Sequence, residues 1–178
     1  MALTLPIDTA DAADLAGPAH RFHAVVDRHF DAVAAFLTRR VGPDIAQDLA
    51  QETFVTAFKR RDRFDKRYDS ARPWLLGIAT KAVASHRREE RRQLELYRRA
   101  AAQPTAPHAD VPPPLDPRLF DGLTALARRD RDALLLHVWG ELTYDEVATA
   151  LNVPVGTVRS RINRARRNLS AHLNGATA

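Results

Sequence analysis

The chain of 178 residues contains no cysteine. Disulfides, thiolate zinc sites and cysteine nucleophiles are therefore excluded, and the composition suits a reducing compartment, so a cytoplasmic location is expected. No stretch reaches the roughly 18 consecutive apolar residues of a membrane span. The first residues show no basic start followed by an apolar run, so neither secretion nor membrane insertion is expected. Glycine is scarce, at seven residues, and no glycine-rich phosphate loop is present. The seven histidines (20, 23, 29, 86, 108, 137 and 172) share no HExxH or paired-ligand spacing. No nucleophile stands beside a base, so the sequence predicts no catalysis, no metal, no cofactor and no small-molecule substrate. Strand signals are also missing: no sustained period-two alternation occurs, and Ala, Leu, Arg and Glu dominate, which predicts an all-α fold.

Charge is plentiful and falls in blocks. Residues 1–58 carry four Arg/Lys against eight Asp/Glu, and residues 59–99 carry fourteen against six. Residues 100–150 return to four against eight, and residues 151–178 hold five Arg and no acid. Two cationic surfaces on one chain suit a polyanion held in two places, although basic helix faces are also commonly just solvated. Between Gln103 and Pro117, six of fifteen residues are proline. Such a run denies helix and ladder hydrogen bonds and predicts a linker. The expected organisation is a mobile acidic segment over 1–19, a helical unit over 20–100, a Pro-rich linker over 101–117 and a second helical unit over 118–173.

In the first unit, Phe22, Val25, Val26, Phe30, Val33, Phe36 and Leu37 recur three and four apart, predicting a helix from about His20 to Arg40 that ends at Gly42-Pro43. A second helix starts at Asp44 and places Ile45, Leu49, Phe54, Ala57 and Phe58 on one side. Its other side carries Asp44, Asp48, Gln51, Glu52 and Val55, a pattern that fits a solvated face as well as a docking face. A third helix opens at Pro73, turns Trp74, Leu75, Ile78, Ala82 and Val83 inward, and ends in an arginine-rich run. Phe64, Tyr68 and Trp74 are the aromatics near this basic half, with Trp74 in the apolar register.

In the second unit, Thr143 and Glu146 form a capping-box pair and predict a helix start, with Leu142 and Val147 placed as a hydrophobic staple. Asn152 and Pro154 predict a break of about three residues. Beyond it Val155, Val158, Ile162, Ala165 and Leu169 share one face of a further helix, and Arg159, Ser160, Asn163, Arg164 and Arg167 centre on the other. A short helix, a tight turn and a helix with an acid-free polar face predict a helix-turn-helix, whose second helix enters the major groove. Arginines there can reach guanine edges. The motif alone also fits a stand-alone duplex-binding transcriptional regulator.

DIAQDLAQETFVTAF at 44–58 and RPWLLGIATKAVASHRREERR at 72–92 resemble regions 2.2 to 2.4 of bacterial RNA polymerase sigma factors, and GTVRSRINRARRNL at 156–169 resembles region 4.2. With only a Pro-rich linker between them, the layout resembles the two-domain extracytoplasmic-function (ECF) group, over roughly residues 20–173. The resemblance implies an alternative sigma factor that binds core RNA polymerase, through the β′ clamp helices and the β flap, and directs promoter-specific initiation. It implies that Asp48, Gln51 and Glu52 face the β′ clamp helices. It implies that the loop at about 65–72 catches a flipped base, and that Tyr68, Arg72, Lys81, Ser85, Arg87, Arg88 and Arg91 contact the opened minus-ten strand. Thr157, Arg159, Ser160, Asn163, Arg164 and Arg167 are implied to read the minus-thirty-five duplex, and an anti-sigma protein is an implied partner. Lys81 stands where many relatives carry Asn, and Ser85 where they carry Asn or Asp. An ammonium lacks the acceptor and the bidentate geometry of an amide, so Lys81 suits phosphate better than a base edge. Pro154 stands where relatives often have a Ser cap. The second acidic block finds no role in the sequence.

Overall fold

The computed structural model describes residues 10–100 and 116–175, so residues 1–9, residues 101–115 of the expected 101–117 linker and residues 176–178 lie outside the described residues. Eight α-helices are present among them: α1 (Ala10–Ala16), α2 (Phe22–Val41), α3 (Pro43–Lys59), α4 (Arg72–Ala100), α5 (Pro117–Ala125), α6 (Arg128–Val138), α7 (Tyr144–Leu151) and α8 (Val155–Gly175). No strand occurs among these residues, as the sequence predicts. Gly42 ends α2 at φ 81°, a left-handed conformation open to glycine, and Pro43 then opens α3 with its pre-set φ. α2 and α3 pack together, and α4 crosses both, with Val25, Val33, Phe36, Leu37, Leu49, Phe54, Leu75, Ile78 and Val83 buried between them.

Chain entry differs from the expected mobile lead-in of 1–19, because α1 packs against α2. Leu15 is buried in the core, and Asp11 is 0% exposed. The Asp11 carboxylate accepts from the backbone N–H of Ala71 and from His29 Nε2, each at 2.6 Å, and pairs with Arg28, which also holds Asp14 at 2.9 Å. Burial alone would raise the Asp11 pKa, but these bonds and the Arg28 charge outweigh it and hold the carboxyl below its ordinary value. The acids that made the segment read as solvated are the ones that pin it.

In the second unit, Asp116 caps α5, its side chain accepting from Arg118 N–H at 2.9 Å, and Pro117 takes the first helical position. The capping box at α7 forms as the sequence predicts: Glu146 N–H donates to Thr143 Oγ1 at 3.3 Å, and Thr143 N–H donates to the Glu146 carboxylate at 2.7 Å. Asn152 is left-handed at φ 52°, ψ 56°, and α8 resumes after Pro154. Val158, Ile162 and Ala165 are fully buried against α6 and α7. The two units share one continuous apolar cluster, with α7 laid against α4. At that crossing Gly77 removes the side chain: a Cβ there would lie 2.3 Å from the Ala150 carbonyl oxygen.

Candidate nucleic-acid interface

The capping box and the Asn152 turn aim α8 so that its inward stripe fills the second unit and its other side faces solvent. Arg159, Ser160, Asn163, Arg164 and Arg167 are exposed, and Thr157 is half-buried at the helix start. Ser160 Oγ donates to the Thr157 carbonyl at 2.9 Å, which turns this hydroxyl back onto the helix. The face is acid-free in sequence but not in space. Asp130, buried at the start of α6, accepts from Arg164 Nε at 3.1 Å and Nη2 at 2.9 Å. This forked pair fixes the guanidinium plane and raises the Arg164 pKa above its ordinary value.

On α3, Asp48, Gln51 and Glu52 are exposed together, as expected, and Val55 beside them is 52% exposed. Two acids, an amide and one exposed apolar side chain thus share a face of α3, where the acids can orient a basic partner and the apolar group can supply desolvation.

The residues assigned to opened strands divide between two places. Tyr68, 42% exposed, and Lys81 line a groove of about 550 Å³ closed on its far side by Thr149, Ala150 and Asn152 of the second unit. The loop before α4 is fixed by Asp65, whose carboxylate accepts from Arg67 Nε and Nη2 at 3.0 and 2.6 Å. Those bonds draw the Asp65 pKa down to about 2. Phe64 is buried and packs on the half-buried Trp74 at 5.5 Å between ring centres, which gives Trp74 the packing role its register predicts. Arg72 is half-buried and lies 3.9 Å from the Glu141 carboxylate of the second unit. Ser85, Arg88 and Arg91 are exposed farther along α4. Arg87 is not part of an open track, because it donates to the Arg40 carbonyl at 3.0 Å in a cleft shared with the second unit. Burial, followed by the charges of Arg40 and Arg131, holds its pKa below the ordinary value.

The second acidic block thereby gains a role that sequence reasoning missed. Asp130 holds Arg164, Asp132 holds Arg40 at 2.5 Å, and Glu141 faces Arg72. Asp132 and Arg40 stand 92 residues apart, so no local pattern could have joined them.

Residues 25–93 match the family model for sigma-70 region 2, and residues 119–169 match that for sigma-70 region 4. The chain is 38% identical over 133 residues to the ECF RNA polymerase sigma factor SigC of Mycobacterium tuberculosis, covering 71% of this chain and 69% of that protein. The chain belongs to the ECF sigma-factor family. It is 31% identical to the ECF RNA polymerase sigma-E factor of Haemophilus influenzae, over 84% of this chain and 86% of that one. Among solved structures it is similar to CnrH in complex with the cytosolic domain of CnrY, with a TM-score of 0.64, 28% identity, and coverage of 96% of this chain and 99% of that one. It is also similar to the sigma factor RpoE in complex with the anti-sigma factor NepR from Bartonella quintana, with a TM-score of 0.62, 25% identity, and coverage of 86% and 96%. As an ECF sigma factor the protein directs promoter-specific transcription, with core RNA polymerase and promoter DNA as its partners. Sigma factors are not enzymes. No described helix is long and apolar enough to cross a membrane.

Proposed function

We propose that the exposed patch of Asp48, Gln51, Glu52 and Val55 on α3 docks on the polymerase β′ clamp helices, and that the exposed face of α8 reads the minus-thirty-five duplex. Tyr68, Arg72, Lys81, Ser85, Arg88 and Arg91 bind the opened minus-ten strand, with the 65–72 loop receiving a flipped base. The units over 20–100 and 118–173 act as separate promoter-binding modules, the second also meeting the β flap, and the sigma factor works in the cytoplasm. The observation that carries this reading is the placement of α7 across the groove that holds Tyr68 and Lys81. Elements about 25 base pairs apart are separated by roughly 85 Å of B-DNA at about 3.4 Å per base pair. A compact chain of 178 residues has a radius of gyration of about 16 Å. The packed arrangement therefore cannot reach both elements at once. Transcription requires α7 to leave α4, and the packed form is the resting one. The CnrH structure is a complex with the cytosolic domain of CnrY and the RpoE structure one with the anti-sigma factor NepR, which supports an anti-sigma protein as the partner that holds this sigma factor at rest.

Reconstitution tests the reading. Purified chain added to core polymerase on a genomic promoter library gives discrete start sites, and alone it protects no duplex at low concentration. A chain that footprints duplex sites alone and yields no promoter-specific transcript with core enzyme would instead be a stand-alone helix-turn-helix regulator.

A further inference from the structure

A second cleft, of about 670 Å³, lies between α2 and α4 of the first unit and α5 and α6 of the second. Six arginines line it, among them Arg40, Arg87 and Arg91 on one wall and Arg128 and Arg131 on the other, against two acids, Glu90 and Asp132. Asp132 is already engaged by Arg40 at 2.5 Å, and Arg40 is only 5% exposed. Four buried side-chain nitrogens among the described residues lack a hydrogen-bond partner, and three of them, Arg40 Nε, His86 Nε2 and Arg131 Nε, belong to this cleft. Burial pushes the Arg131 pKa below its ordinary value, as it does for Arg87; Asp132 opposes that, and Arg40, Arg128 and Arg91 add to it. A cluster of like charges in a partly enclosed space, with donors left unmade, is costly as it stands and is relieved by an anion.

The geometry narrows the anion. A volume of this size matches small-molecule pockets, which hold about 300–1,000 Å³. Arginines on both walls supply the donors that recognise phosphate oxygens, and an excess of four positive charges calls for an anion carrying several. A duplex cannot enter, since α5 and α6 close the far side. We propose that this cleft is a binding site for a small oligophosphate, which bridges Arg87 of the first unit and Arg131 of the second and holds the two units together. The cleft exists only while the units are packed, so the ligand favours the resting form over the promoter-bound one. Two sources share this chemistry: a free inorganic oligophosphate and the phosphate tail of a nucleotide.

Calorimetric titration of the full-length chain with sodium tripolyphosphate, and separately with a nucleoside triphosphate, against sodium chloride at equal ionic strength, tests the site without polymerase or DNA. Its outcome is therefore independent of the promoter assignments. One saturable site is expected, with a raised melting temperature. Arg128→Gln and Arg131→Gln each lower affinity tenfold or more, while Lys59→Gln, which removes the same charge from an exposed position outside the cleft, changes it less than twofold. Arg131 also donates to the Leu123 and Thr124 carbonyls, so the exposed Arg128 provides the variant least able to disturb folding. Equal affinity for the two probes assigns the site to phosphate alone, and tighter binding of the nucleotide adds a base contact; both support the proposal. Equal losses at Lys59 and Arg128, an effect reproduced by chloride, or saturable binding of a polyglutamate peptide but not of tripolyphosphate would overturn it.

Discussion

Gly77→Ala places one methyl group at the contact between α4 and α7 and separates two effects that oppose each other. Within α4 the change is favourable, since alanine in a helix interior is about 1 kcal/mol better than glycine. At the crossing, the new Cβ would sit 2.3 Å from the Ala150 carbonyl oxygen, 3.0 Å from its carbon and 3.1 Å from its Cα. All three are backbone atoms of a capped helix, so no side chain can swing away, and α7 must retreat by about 1 Å, a gap that forfeits a quarter to a half of each dispersion contact along the seam. Overpacking of this kind costs about 1–3 kcal/mol. The cost falls on docking and not on either unit, so the closed-to-open ratio drops about 5- to 150-fold. Small-angle scattering reads the result directly. The native chain should have a radius of gyration near the value of about 16 Å for a compact chain of 178 residues. Gly77→Ala should raise it by several ångströms, and Gly77→Leu further, while amide exchange within α4 slows. An unchanged radius in both variants would refute the argument that this crossing holds the units together.

Asp11→Ala removes a fully buried carboxylate held by Arg28, His29 and the Ala71 N–H, and chemical denaturation should show a loss of about 3–5 kcal/mol, the usual result of breaking a buried charged pair. Because the folded pKa of Asp11 lies below its ordinary value of 3.8, its contribution is complete above pH 3.8 and disappears as the pH falls through the lower folded value; acid titrations of native and Asp11→Ala chains should therefore converge below that point. Asp48→Arg reverses a charge of the α3 patch and should weaken binding to core polymerase at least tenfold in a pull-down or fluorescence assay, with duplex affinity of α8 unaltered. Arg164→Ala should lower minus-thirty-five affinity about ten- to a hundredfold in a gel-shift assay, the range for a lost base contact, because Asp130 has already fixed the guanidinium plane.

Local pattern made most of the helices legible. α2, α3 and α8 each bury the three-and-four repeat that the sequence displays, and the break at Asn152 follows from a residue that accepts the left-handed region followed by one that cannot continue a helix. The exposed Asp48, Gln51 and Glu52 on α3, and Arg159 and Arg167 on α8, could be placed for the same reason. What could not be read depends on charges meeting across the fold. Asp8, Asp11 and Asp14 look alike in sequence, yet Asp11 is buried because the backbone N–H of Ala71, 60 residues away, needs an acceptor. The same holds for Asp130 and Asp132, whose arginines lie on distant helices. The resemblance places Arg87 on the opened strand, but its burial depends on a second unit reached only through the proline-rich segment.

The account rests on one transition, from a chain with α7 on α4 to one that spans a promoter. The absence of cysteine makes this directly measurable, because Ala35→Cys on α2 and Ser170→Cys on α8, both exposed, provide two unique labelling sites, one in each unit. Energy transfer between dyes at these positions should be high and single-valued in the free sigma factor, and should fall to a low value in the complex with core polymerase and promoter DNA. High transfer retained in a complex that makes transcript would contradict the account.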